Sequence, residues 1–144
     1  MRTVLVLLVF SLVLGPSVHA LAESEPAFLI VVHPQNPHDG VSRAFLADAF
    51  LKKRTDWKDG HRIAPVDQAP DAPVRRHFSK RVLKRSVAAV RAYWQRIIFS
   101  GRGVPPPELA DETAVLTHVR KHRGAVGYIS GSTEPRGVKV ISIR

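Results

Sequence analysis

The run Phe28-Leu29-Ile30-Val31-Val32 contains no polar side chain. Side chains of a strand point alternately to opposite faces, so an unalternating apolar run predicts a strand covered on both sides, as in a parallel or mixed sheet. His33-Pro34 ends the run, and residues 35–40 read as loop. Ser42 is placed to cap a first helix, with Phe45, Leu46, Ala49 and Phe50 at helical spacing. Residues 63–66 predict a short second strand, and Pro65 makes it an edge or a bend. Asp71 is expected to cap a second helix that carries Pro73 in its first turn. On that helix Val74, Phe78 and Val82 face inward, and Arg76, Lys80 and Lys84 line another face. Ser86 starts a third helix, whose buried stripe is Val87, Val90, Trp94, Ile97 and Ile98. Gly101, Gly103 and Pro105-Pro106-Pro107 form a rigid connector. Asp111 caps a fourth helix with Val115, Leu116 and Val119 inward, and Gly124 is expected to end it. Strands at 125–129 and 138–143 follow. This order predicts an α/β fold in which helices flank a small mixed sheet.

The first twenty residues read as an export signal. Arg2 supplies the positive start, residues 4–14 form a short apolar stretch, and Val18-His19-Ala20 has the small-residue spacing of a cleavage site. The stretch is shorter than the roughly 20 apolar residues of a membrane helix. The expectation is a periplasmic protein, with residues 21–144 forming one domain and no transmembrane segment after cleavage. There is no cysteine, so disulfides, thiol chemistry and cysteine metal sites are excluded.

The net charge of +10 is unevenly distributed. Between Ala72 and Pro107 there is no acid, against nine bases: Arg75, Arg76, Lys80, Arg81, Lys84, Arg85, Arg91, Arg96 and Arg102. Such a block points to an anionic partner or to a solvated helix face. Nucleic acid fits the charge but not the export signal.

Catalytic and metal motifs are absent from the sequence. His118 and His122 are four apart on the predicted fourth helix, but no Glu stands between them as a zinc-protease helix requires, and Arg120, Lys121 and Arg123 surround them. They read as exposed histidines on a basic helix end. No Gly-x-Ser-x-Gly elbow marks a nucleophile, and no glycine-rich nucleotide loop is present. The chain reads as a non-enzyme without metal or cofactor. Arg75 and Arg76 fall in the first turn of the second helix, where backbone N–H groups and guanidinium groups suit an anion, although an Asp71 cap would oppose it.

Two segments carry a family resemblance. Phe50-Leu51-Lys52-Lys53-Arg54-Thr55-Asp56-Trp57 resembles the Phe-Leu-Gly-Lys-x-Thr-x-Trp segment of the solute-binding proteins of phosphate ABC importers. Gly124-Ala125-Val126-Gly127-Tyr128-Ile129 is similar to their Gly-Ala-Ile-Gly-Tyr-Val strand. The resemblance extends over residues 28–143 and implies the type II periplasmic-binding-protein-like fold, here with length for a single lobe. Where that family has an Arg-x-x-x-Ser-Gly-Thr phosphate loop, this chain has Gln68, Ala72, Pro73 and Val74. The hydroxyl donors and the arginine are replaced, and Pro73 removes an N–H.

The resemblance therefore implies an exported binding protein that takes phosphate or another small oxyanion with modest affinity. Gln68, Arg75 and Arg76 are the expected contacts, with Arg75 the main charge. The alternative is a ligand-free interaction module that docks on a membrane transporter or sensor protein through its basic helix face.

Overall fold

The computed structural model describes residues 28–144, so the export signal expected at residues 1–20 lies outside the described residues. Strand β1 is Phe28–Val32, followed by the two-residue β2, Gly40–Val41, and helix α1, Arg43–Phe50. Short strands β3, Ala64–Pro65, and β4, Asp67–Gln68, lead to helix α2, Pro73–Phe78, which continues as a π-helical segment, Ser79–Leu83. Helix α3 spans Val87–Phe99, β5 Glu108–Leu109, α4 Glu112–Lys121, β6 Ala125–Ser130 and β7 Lys139–Ile143.

The main sheet is mixed, in the order β2-β7-β1-β6-β3. β1 pairs antiparallel with β6, Val31 opposite Gly127, and with β7, Ile30 opposite Ile141. The two late strands are thus separated by β1, and their connection crosses over it. Parallel pairing adds β2 beside β7 and β3 beside β6. β3 is the edge strand that Pro65 required. β4 and β5 form a separate two-stranded parallel ribbon.

Both faces of the sheet are covered, as the apolar run demands. Ile30, Val32, Val126 and Tyr128 point to one side, into a core with Leu46, Phe50, Trp57, Phe78 and Trp94. Val31, Ala125 and Ile129 point to the other side, against Val66 and the α4 residues Val115, Leu116 and Val119.

The two segments that carry the resemblance meet directly. The carbonyl of Gly124 accepts from the Trp57 indole at 3.2 Å and from the Ala64 amide at 2.9 Å. A Cβ at Gly124 would lie 2.0 Å from the carbonyl oxygen of Arg62, so close backbone approach selects glycine here. Gly124 does not end α4: that helix stops at Lys121, and His122 leaves it in an extended conformation.

Three caps are as expected: the side chains of Ser42, Ser86 and Asp111 accept from the amides of Phe45, Ala89 and Ala114. Asp71 is not a cap. The N-cap of α2 is Ala72, which has no side-chain acceptor, and Asp71 stands one residue before it. Its carbonyl oxygen accepts from Arg76 Nη1 at 2.6 Å. The buried stripe of α3 also ends early: Val90 and Trp94 are buried, whereas Ile98 is 48% exposed.

Helix α1 ends with Lys53 N donating to Asp48 O at 2.8 Å and Lys52 N to Ala49 O at 3.1 Å, the hydrogen-bond pair of a Schellman terminus. Lys52 occupies the left-handed position, with φ 52°, where the similar importer segment has glycine. Replacing Lys52 with Gly removes an αL cost of about 1–2 kcal/mol, offset in part by the greater unfolded-state entropy of glycine, about 0.5–1 kcal/mol. Urea unfolding of Lys52→Gly is expected to show a net gain of about 0.5–1 kcal/mol.

Candidate functional site

Arg75 and Arg76 are neighbours in sequence with opposite fates. Successive helical residues are turned by roughly 100° about the axis, since a turn takes about 3.6 residues. Arg75 therefore points inward, 4% exposed, and Arg76 outward.

A guanidinium cannot be buried without partners. Arg75 Nη2 lies 3.1 Å from Asp67 Oδ2 on β4, and Nη1 lies 2.7 Å from Glu108 Oε1 on β5. Nη1 also donates to the carbonyl of Gln68. Nε is buried with no partner among the described residues. Asp67 in turn accepts from the Tyr128 hydroxyl through Oδ1 and from the Gln68 amide at 2.9 Å. The Gln68 carboxamide donates to the Tyr128 carbonyl at 2.7 Å. The Tyr128 ring stacks on Phe78 with centroids 4.0 Å apart. One arginine thereby ties α2 to the β4–β5 ribbon, and Tyr128 ties the ribbon to β6.

Two carboxylates share this single cation. Burial pushes the Asp67 carboxyl above its ordinary 3.8, and the Arg75 charge offsets this only in part. Burial and the adjacent Asp67 push the Tyr128 hydroxyl far up, so it remains a donor.

Gln68 and Arg75, expected to meet a ligand, are thus held by internal partners. An anion approaching Arg75 would face Asp67 and Glu108 first. A cleft of ≈ 550 Å³ opens beside the cluster, lined by Asp67, Arg75 and Glu108 at one end and by Trp94, Gln95 and Ile98 of α3.

Arg76 belongs to a different feature. With Lys80, Lys84 and Arg85 it lines an open groove of ≈ 580 Å³ that reaches Ser86 and Val87 at the start of α3. Among the described residues its lining is completed by Pro70 and contains no acidic side chain. Lys84 ends the π-helical segment with φ 55°, and that reversal turns the chain so that Arg85 and Ser86 close the groove. The Arg85 guanidinium lies 5.6 Å from the centroid of the Tyr93 ring.

His118 and His122 stack face to face, ring centroids 4.0 Å apart. Burial, then His122, lowers the titration of His118. Among the described residues no group of three or more His, Cys, Asp or Glu side chains gathers as a metal site. No helix among them is long and apolar enough to cross a membrane.

Sequence reasoning missed Asp67 and Glu108 as partners of Arg75, and Tyr128 as the donor to Asp67. A usable signal existed. A tyrosine inside an apolar strand requires an acceptor for its hydroxyl, and Asp67 directly follows the buried Val66.

Neither a protein-family model nor a curated protein sequence matches the chain. Solved structures do. The fold is that of one lobe of a periplasmic-binding-protein-like protein. Among the similar structures are an ABC-type phosphate transport receptor from Vibrio cholerae, a putative phosphate ABC transporter substrate-binding protein with bound phosphate from Clostridium perfringens, and PstS from Borrelia burgdorferi. For the first, identity is 22%, TM-score 0.63, and the match covers 82% of this chain and 46% of the receptor. For the second the values are 18%, 0.64, 82% and 45%. For the third they are 11%, 0.62, 83% and 47%. The chain therefore spans somewhat less than half the length of each.

Arg75→Met leaves the Asp67 carboxylate buried without its cation, a change of the kind that costs about 3–5 kcal/mol. Without Arg75 the Asp67 carboxyl rises further. A group whose folded pKa is raised contributes its full stability below the unfolded value and loses it as pH rises through the folded value. The loss in Arg75→Met is therefore expected to be largest above neutral pH and to shrink towards pH 4, as read from urea unfolding across that range.

Proposed function

We propose that this chain is a non-enzymatic binding protein of the periplasm that takes a small oxyanion of the phosphate type with modest affinity. The fold shared with phosphate receptors supports a solute-binding role. The observation that carries the choice of ligand is the groove in which four basic side chains, Arg76, Lys80, Lys84 and Arg85, converge. The groove ends at the start of the 13-residue helix α3, whose N-terminal dipole adds to the positive potential.

In this reading Arg76 contacts the anion. Gln68 and Arg75 act as positioning residues: they fix the turn from β4 into α2 and thereby the wall of the groove. The groove is open to water, so its electrostatic attraction is screened by salt within about 8–10 Å, and affinity stays modest.

Calorimetric titration with inorganic phosphate and sulfate tests this. The expected result is a heat that weakens as sodium chloride is raised and is lost in the charge-reversed Arg76→Glu, Lys80→Glu, Lys84→Glu variant. No heat for either anion removes the oxyanion reading. An unchanged heat in the triple variant removes the groove as its place.

A further inference from the structure

The described residues expose only four large apolar side chains: Ile98 at 48%, Phe99 at 90%, Val104 at 62% and Val140 at 40%. Three of them fall within seven residues at the C-terminal end of α3. Isolated exposed apolar residues need no explanation, but a phenylalanine standing almost wholly in water beside two aliphatic neighbours does.

The backbone there is fixed by hydrogen bonds. Gly101 N donates to Ile98 O at 2.9 Å and Arg102 N to Ile97 O at 3.1 Å, closing a Schellman terminus with Gly101 at φ 68°. The Ser100 hydroxyl donates to Ile97 O and accepts from Arg102 Nε. The chain then returns along the helix end, since Ile98 shares one cleft with Pro105 and Pro106. The result is a braced helix end, with Phe99 exposed at the last helical position and Ile98 beside it at the rim of the cleft.

The charged residues nearest the tip in sequence have one sign. Arg91, Arg96 and Arg102 are exposed. The nearest acid in sequence, Glu108, is held by Arg75 at 2.7 Å. An exposed apolar helix end flanked in sequence by Arg96 and Arg102 complements a surface with anionic headgroups over an apolar interior: the guanidinium groups stay with the headgroups while the ring enters the acyl boundary.

We propose that the tip of Ile98, Phe99 and Val104 docks this protein on a bilayer containing anionic lipid. The inference stands on the tip alone and does not depend on oxyanion binding in the groove.

The chain has no cysteine, so Ser100→Cys in the full chain accepts a single environment-sensitive dye at the tip. Contact made by any other segment leaves this dye in water. The probes are vesicles of phosphatidylcholine alone and of phosphatidylcholine with phosphatidylglycerol. The expected result is a blue shift on the anionic vesicles only. Phe99→Asp or Val104→Asp should weaken binding about tenfold or more, the fold-change for withholding a large apolar side chain. Arg96→Ala and Arg102→Ala should weaken it about fivefold each. Phe99 and Val104 are exposed, so unchanged thermal melting of both Asp variants serves as the folding control. An unchanged dye spectrum on anionic vesicles overturns the proposal, as does an equal shift in the two Asp variants. A dimer by sedimentation that Phe99→Asp dissolves, with no response to vesicles, would assign the tip to a second copy instead and overturn it equally.

Discussion

The burial of Arg75 is the constraint on which the arrangement around the candidate site depends. An arginine withdrawn from water is tolerated only where carboxylates and carbonyls replace its hydration. Here Asp67, Glu108 and the Gln68 carbonyl do so, and they come from β4 and β5. Those two short strands make few hydrogen bonds of their own, and the ion cluster supplies their register. Tyr128 extends the same cluster into the main sheet. The turn into α2, the direction of Arg76 and the wall of the basic groove follow from it.

The sheet itself rests on a simpler principle. β1 and β6 are apolar on both faces, so each face must be covered. α4 covers one face, and α1, α2 and the π-helical segment cover the other with Trp57 and Trp94. Trp57 then hydrogen-bonds the carbonyl of Gly124, where the chain enters β6. The aromatic residue and the glycine that mark the resemblance are thus two sides of one contact.

Legibility of the sequence followed the range of the interactions. The caps at Ser42, Ser86 and Asp111 were readable because each joins a side chain to an amide three residues on. Asp71 failed as a cap because α2 begins one residue later, at Pro73. Gly124 looked like a helix terminator, yet contact with the carbonyl of Arg62, far away in sequence, selects it. Ile98 fits the helical period of the α3 stripe, yet it faces an open cleft shared with Pro105 and Pro106 and stays half exposed. Gln68 and Arg75 were read as ligand contacts and their internal partners were not seen, because Glu108 lies 33 residues from Arg75 and Tyr128 lies 60 from Gln68.

By itself the sequence determined the layer class, the helices with local caps and the basic block, because periodicity, capping and composition act over a few residues. The tertiary structure alone decided that β1 lies between β6 and β7, that Arg75 is buried while Arg76 is exposed, and that the end of α3 stands in water. Each of these outcomes is set by which distant segment packs against the residue, and no local pattern encodes that.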